Sequence, residues 1–190
     1  MTNRKQINVF VANKGKDISD LFLTLSKVVD VNLSPDRNGV CFLKVAPEDY
    51  VRATIVGSGL AERNGLQGIA WVMPCGKLET ELNEVNEYSA KQLKNGKFVA
   101  FVGFNKAELE SVSNYLNKCG MNSNVIANDC QNAIVVSSKD YFSAVAIGAK
   151  FVDGHNMNSV FWVTPTGRSM FNTNKVASLA RHEYDDVLQA

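Results

Sequence analysis

The sequence predicts an α+β chain of two tandem βαββαβ units, each followed by a further helix, and three observations carry that reading. Ile69-Ala-Trp-Val-Met-Pro-Cys-Gly-Lys77 returns as Val160-Phe-Trp-Val-Thr-Pro-Thr-Gly-Arg168, with Trp, Val, Pro and Gly at matched places and a cation at the end. The same offset of 91 residues, without a gap, superposes Phe10-Val11 on Phe101-Val102, Leu25 and Lys27 on Leu116 and Lys118, Val45 on Val136, and Asp49-Tyr50, Ala53 and Gly57 on Asp140-Tyr141, Ala144 and Gly148. In both copies the apolar spacing switches between the strand period of two and the helical period of 3.6 in the same order.

In the first copy, residues 7–12 (INVFVA) read as a strand. Residues 17–29 read as a helix because Ile18, Leu21, Phe22, Leu25 and Val28 share one face; Asp17 is the expected N-cap, with Ser19 and Asp20 in the first turn. A second strand covers residues 29–33, Ser34-Pro-Asp-Arg-Asn-Gly39 supplies a turn, and residues 40–45 form the third strand. Pro47 opens a second helix over residues 48–62, weakened in its later half by Gly57 and Gly59, and residues 69–73 form the fourth strand. The second copy places strands at 98–103, 124–127, 133–137 and 160–164 and helices at 107–119 and 139–151. Residues 78–94 (LETELNEVNEYSAKQLK) run from acidic to basic, which suits a helix macrodipole. Residues 175–188 carry Val176, Leu179, Ala180, Tyr184, Val187 and Leu188 as one apolar stripe. The expected organisation is a first repeat over 1–78, a helical linker over 79–96, a second repeat over 97–170 and a C-terminal helix over 171–190. Two helices crossing one face of a four-stranded antiparallel sheet make the split βαβ, or ferredoxin-like, arrangement, which leaves the other sheet face open.

At 190 residues and 45% hydrophobic content each unit can hold a packed core. The net charge of +1 supplies no global electrostatic footprint for nucleic acid. Met1 to Gln6 is polar and runs into a segment of strand length, so the expectation is a cytoplasmic protein without a signal peptide or membrane span. Cys41, Cys75, Cys119 and Cys130 show no CxxC spacing and have two histidines, His155 and His182, to join them, so neither a zinc site nor a disulfide framework is expected. Neither histidine recurs in the other repeat, and the glycines of 13–16 (NKGK) and 56–59 (VGSG) lack phosphate-loop spacing. The expectation is a non-enzymatic protein without a cofactor or metal.

The remaining candidate is the open sheet face. If Ile7, Val9 and Val11 face the helices, Asn8, Phe10 and Ala12 face outward; likewise Cys41, Leu43 and Val45 face in, leaving Val40, Phe42 and Lys44 outside. Lys14, Lys16, Arg37 and Lys77 fall at the expected rim; in the second copy Phe101 matches Phe10 and Arg168 matches Lys77. The competing reading makes Phe10 and Phe101 core under a covered face, and Trp71 and Trp162 core or interdomain packing.

Val9-Phe10-Val11-Ala12-Asn13 resembles the shorter signature of RNA-recognition motifs, with Phe10 at the stacking position and Asn13 where that family often has Asn. Asn38-Gly39-Val40-Cys41-Phe42-Leu43-Lys44-Val45 resembles the longer one, with Gly39 and Phe42 in place, although Val40 and Val45 stand where aromatics are usual. In the second copy Phe101 keeps its place, whereas Ala133-Ile-Val-Val-Ser137 offers no aromatic. The resemblance implies single-stranded RNA as partner, with bases stacked on the first unit and backbone or partner contacts from the second. In size, architecture and abundance of asparagine the chain is also similar to the nucleus-associated RNA-binding proteins of nucleus-forming jumbo phages, which implies phage transcripts as ligand. Two other classes stay open: a protein-interaction or self-associating module, including a host-directed phage factor, that uses the sheet face and C-terminal helix, and a small-ligand regulatory domain of the ACT kind.

Overall fold

The computed structural model describes residues 6–74, 77–82, 96–127, 131–164 and 169–170. The first unit comprises β1 (Ile7–Asn13), α1 (Lys16–Leu25), β2 (Val31–Pro35), β3 (Val40–Val45), a 3-10 turn (Pro47–Asp49), α2 (Tyr50–Arg63), β4 (Ile69–Val72) and β5 (Leu78–Glu79). The second comprises β6 (Lys97–Gly103), α3 (Lys106–Lys118), β7 (Ser123–Ala127), β8 (Asn132–Ser137), α4 (Tyr141–Gly154), β9 (Val160–Val163) and β10 (Ser169–Met170). The strands form two five-stranded antiparallel sheets, in the orders β2-β3-β1-β4-β5 and β10-β9-β6-β8-β7. The chain is therefore α+β.

The fifth strand of each sheet departs from expectation. The amide of Met73 donates to the carbonyl of Lys77 (2.9 Å), which turns the chain back so that Leu78–Glu79 pairs with Val72 and Trp71. The backbone groups at the expected start of the linker helix are thus committed to a sheet edge, and Glu79 accepts from the amide of Glu81. The rest of that expected helix, 83–95, and the expected C-terminal helix over 171–190 lie outside the described residues.

Helix α1 is shorter than its apolar spacing suggests, because the carbonyl of Leu25 accepts from both Val28 and Val29 and the chain unwinds there. Gly15 rather than Asp17 is the N-cap. Asp17 instead accepts from the amide of Gln67 (2.9 Å), holding the α2–β4 loop against the start of α1.

The repeated residues are the core. Trp71 and Trp162 are fully buried, each paired across strands with Phe10 or Phe101. The hydroxyls of Tyr50 and Tyr141 donate to the carbonyls of Val72 and Val163 at 2.8 and 2.7 Å, tying each second helix to the strand after it. Indole nitrogens find partners too: Trp71 donates to Thr54 (3.0 Å) and Trp162 to the Tyr141 hydroxyl (3.3 Å), which removes the cost of burying a polar N–H.

The two units share one continuous core. Helix α4 lies against α2 and the Pro47–Asp49 turn, with Tyr50 and Phe142 edge to face at 4.9 Å between ring centres. Both helices are consequently buried nearly all round, since each has its own sheet on one side and the other unit beyond. Ser58, on α2, is fully buried and its hydroxyl has no partner among the described residues; Ala149 holds the matching place in α4. Ser58→Ala is expected to raise the unfolding free energy by about 1 kcal/mol, since it removes an unpaired buried hydroxyl and improves helix propensity. A denaturant titration that shows a loss instead would mean the hydroxyl is satisfied in solution.

Candidate nucleic-acid interface

The expected stacking platform does not assemble as its alternation suggests. Along β1 the register against β3 shifts between Asn8 and Phe10, so Val9 is an extra residue, and along β6 the same shift falls between Val99 and Phe101. A bulge of one residue reverses which face the following side chains take. Ile7 and Val9 point inward as expected, but so do Phe10 and Ala12, while Asn8 and Val11 line the outer face. Phe10 and Phe101 are both 0% exposed, and their rings lie against Gly57 of α2 and Gly148 of α4. Neither can stack a base; the competing reading of these two residues as core is correct.

The third strand behaves as its alternation predicts. Cys41, Leu43 and Val45 are buried, whereas Val40, Phe42 and Lys44 are partly exposed on the outer face. Cross-strand pairing sets Ser34, Phe42, Val11 and Ala70 in one row across β2, β3, β1 and β4, and Asn32, Lys44 and Asn8 in a second. No carboxylate stands among these outer-face positions. Asp36, the nearest in sequence, is occupied in the β2–β3 turn, where it accepts from the amides of Asn38 (2.8 Å) and Val40 (2.9 Å).

The rim cations divide between the two ends of the sheet. The amide of Lys14 donates to the carbonyl of Gly39 (2.8 Å), which joins the end of β1 to the tip of the β2–β3 hairpin. Asn13, Lys14, Lys16 and Arg37 are all exposed at this end. Lys44 opposes Asn8 at the other end, where exposed Lys77 follows the last residues of β4. Arg168 lies outside the described residues. Of the expected contact set, the fold therefore gathers Asn8, Val40, Phe42 and Lys44 on one face and brings Lys14, Lys16, Arg37 and Lys77 to its ends.

Sequence alternation missed Val11, Asn32 and Ser34, which the bulge and the β2 pairing add to this face. The available signal was the pair of adjacent apolar residues before each strand's end, Val9-Phe10 and Ala100-Phe101, which no flat strand with one wet face accommodates.

The outer face of the second sheet differs in character. Val99 and Phe161 are partly exposed and flank Val102, Ala133 and Val163, which are buried in a small cluster separate from the main core. Phe104, 70% exposed, sits edge to face with Phe161 at 6.2 Å. On the helix layer, Tyr115, Ile147, Lys150, Phe151 and His155 line a cleft in which the Tyr115 and Phe151 rings stack at 4.5 Å and His155 lies 4.0 Å from Phe151. Burial, reinforced by neighbouring Cys119, raises the Tyr115 phenol above its usual pKa. Cys41 is buried and Cys119 exposed, both free; Cys75, Cys130 and His182 lie outside the described residues. Among the described residues no helix is long and apolar enough to cross a membrane.

No protein-family model and no curated protein matches the chain. Among solved structures, it is similar to a Vibrio cholerae protein of unknown function described as a possible transport protein, at 15% identity over 77% of this chain and 88% of that one, with a TM-score of 0.23. It is also similar to the aspartate kinase of Clostridium acetobutylicum, an allosteric enzyme, at 12% identity over 75% of this chain and 31% of that one, with a TM-score of 0.26. Neither overlap is close enough in space to carry an argument about activity.

Proposed function

We propose that the chain is a non-enzymatic single-stranded RNA binder, built from two ferredoxin-like units of the RNA-recognition kind, and that the outer face of the first sheet holds the RNA. The observation that supports this reading is the composition of that face: partly exposed Phe42 at its centre, Asn8, Asn32, Ser34 and Lys44 around it, cations at both ends, and no carboxylate on β1, β2, β3 or β4, the edge strand β5 carrying Glu79. Phe42 offers one base a stacking surface worth about 1–3 kcal/mol, Asn and Ser side chains suit base edges, and lysines and arginine at the ends suit phosphates. With Phe10 in the core, stacking rests on one ring rather than two, so affinity depends heavily on phosphate contacts and on salt.

The test is binding of a fluorescent single-stranded RNA at two salt concentrations. Phe42→Ala is expected to weaken binding by about 5- to 150-fold, the range that one lost stack implies. Lys44→Glu is expected to weaken it and flatten the salt dependence. Both positions are partly exposed, so thermal stability should change little. Absence of binding by the unsubstituted protein at low salt would end the RNA reading.

A second reading, contact with a protein partner, is favoured by the apolar side chains exposed on the second unit, Phe104 and Ile126. Pull-down with the unsubstituted chain and a Phe104→Ser, Ile126→Ser variant separates it from RNA binding, because these residues are outside the first sheet.

A further inference from the structure

Strand β7 is the outer edge of the second sheet. The amide of Ser123 donates to Asn117 Oδ1 (2.9 Å) and its carbonyl accepts from Asn117 Nδ2 (3.1 Å), so the Ser123 backbone points away from β8 and is already satisfied by α3. Backbone groups alternate along an antiparallel strand; Asn124 and Ile126 therefore bond to β8, and the N–H and C=O groups of Val125 and Ala127 point outward. Among the described residues these outward groups have no partner. The corresponding edge of the first sheet, β2, is protected. Pro35 opposes Cys41 there as Ala127 opposes Asn132, 91 residues on, and proline offers no N–H to an incoming strand. Strand β7 carries neither proline nor charge. Its side chains alternate as well. Ser123 turns to the helix layer, where its hydroxyl bonds to Ser113 (2.6 Å), so Asn124 and Ile126 lie on the outer face. There Phe161, Val102, Ala133 and Ile126 form one apolar row across the sheet, and Ile126 ends it at the open edge, 44% exposed.

We propose that β7 pairs antiparallel with β7 of a second copy, about a two-fold axis at Ile126, joining their two five-stranded sheets edge to edge. In this register Val125 stands opposite Ala127 of the other copy, and each such pair exchanges two hydrogen bonds. Every free backbone group of the edge is then used, and the Ser123 groups held by Asn117 are not needed. An axis at Val125 would instead set Ala127 against Ser123, whose groups are taken. Ile126 meets its own copy at a non-hydrogen-bonded position, where facing side chains come closest, and the apolar row continues through the seam. This self-match selects a second copy as the occupant, and an isologous contact of this kind closes at two chains. The edge belongs to the second sheet, so the pairing does not rest on RNA binding by the first.

Sedimentation equilibrium of the full chain without RNA, from about 10 µM to about 500 µM, tests the pairing. A monomer–dimer equilibrium with no larger species is expected. Ala127→Pro copies Pro35 and removes two of the four hydrogen bonds between copies while leaving the ladder to β8 intact. It is expected to raise the dissociation constant by about 5- to 150-fold. Ile126→Lys and Ile126→Glu each set like charges face to face at the axis, so each alone is expected to stay monomeric where the unsubstituted chain dimerises, and mixing the two is expected to restore association. Leu23→Lys, at a 59% exposed position on α1, is expected to change nothing. Thermal unfolding of each variant confirms that it is folded. An unsubstituted chain that is monomeric at the highest concentration would overturn the proposal. So would a dimer that survives Ala127→Pro and Ile126→Lys, or oppositely charged variants that fail to associate when mixed.

Discussion

Phe10→Ala is expected to lower the unfolding free energy by about 3–5 kcal/mol, the cost of deleting a fully buried ring from a core that cannot close over the gap. The ring is 0% exposed, lies on Gly57 and is paired across strands with Trp71, so its loss leaves a void between sheet and helix. Phe101→Ala should cost a similar amount, because the same ring sits on Gly148 and pairs with Trp162. Urea denaturation of each variant measures this. A phenylalanine on a wet sheet face would change stability by no more than about 0.5 kcal/mol on truncation while reducing RNA affinity. Retained stability together with lost RNA binding would restore Phe10 to the interface and remove the bulge from solution. Because the two units share one core, a loss of this size in either is expected to shift the unfolding transition of the whole chain.

Gly57→Ala is expected to destabilise although alanine is the better helix former. In an open helix position the substitution would gain up to about 1 kcal/mol. At position 57 the added carbon would stand 2.3 Å from Phe10 Cε2 and 2.7 Å from Cζ, well inside contact distance, and the ring has the sheet behind it. Overpacking of this kind costs about 1–3 kcal/mol or more, so the balance is unfavourable. Gly148→Ala repeats the experiment against Phe101, with contacts of 2.5 and 2.7 Å. The discriminating measurement is a double-mutant cycle. Phe10→Leu shortens the side chain and should recover part of the loss in the Gly57→Ala background, giving a coupling above about 1 kcal/mol. Additive effects would show that Gly57 is needed for some reason other than the ring above it.

These paired residues also explain the duplication's pattern. Phe10 with Phe101, Gly57 with Gly148, Tyr50 with Tyr141 and Trp71 with Trp162 all recur at one offset, and in each unit they occupy one physical arrangement: a bulged strand whose ring fills the space a helical glycine leaves. A glycine in mid-helix is unfavourable on propensity alone, so its presence at the same place in both copies reflects the close approach of strand to helix.

The sequence by itself determined the order of strands and helices from β1 to β4 and from β6 to β9, the offset between the copies, and the inward face of β3, because each of these follows from local periodicity and from self-similarity. Cys41, Leu43 and Val45 are buried and Val40, Phe42 and Lys44 partly open because β3 pairs in unbroken register from Cys41 to Val45 with β2 and has one wet face, the condition under which alternation reads burial directly. The tertiary structure alone decided the fate of Phe10 and Phe101, since a single extra residue in β1 and β6 inverts every later side chain, and only the pairing with β3 and β8 defines where that residue falls. It also decided that Leu78–Glu79 extends a sheet instead of starting a helix, because the charge order that favours a helix there is worth less than backbone hydrogen bonds offered by an adjacent strand edge. Helices α2 and α4 are buried on nearly every side for a reason equally absent from local sequence: each is covered twice, by its own sheet and by the other unit.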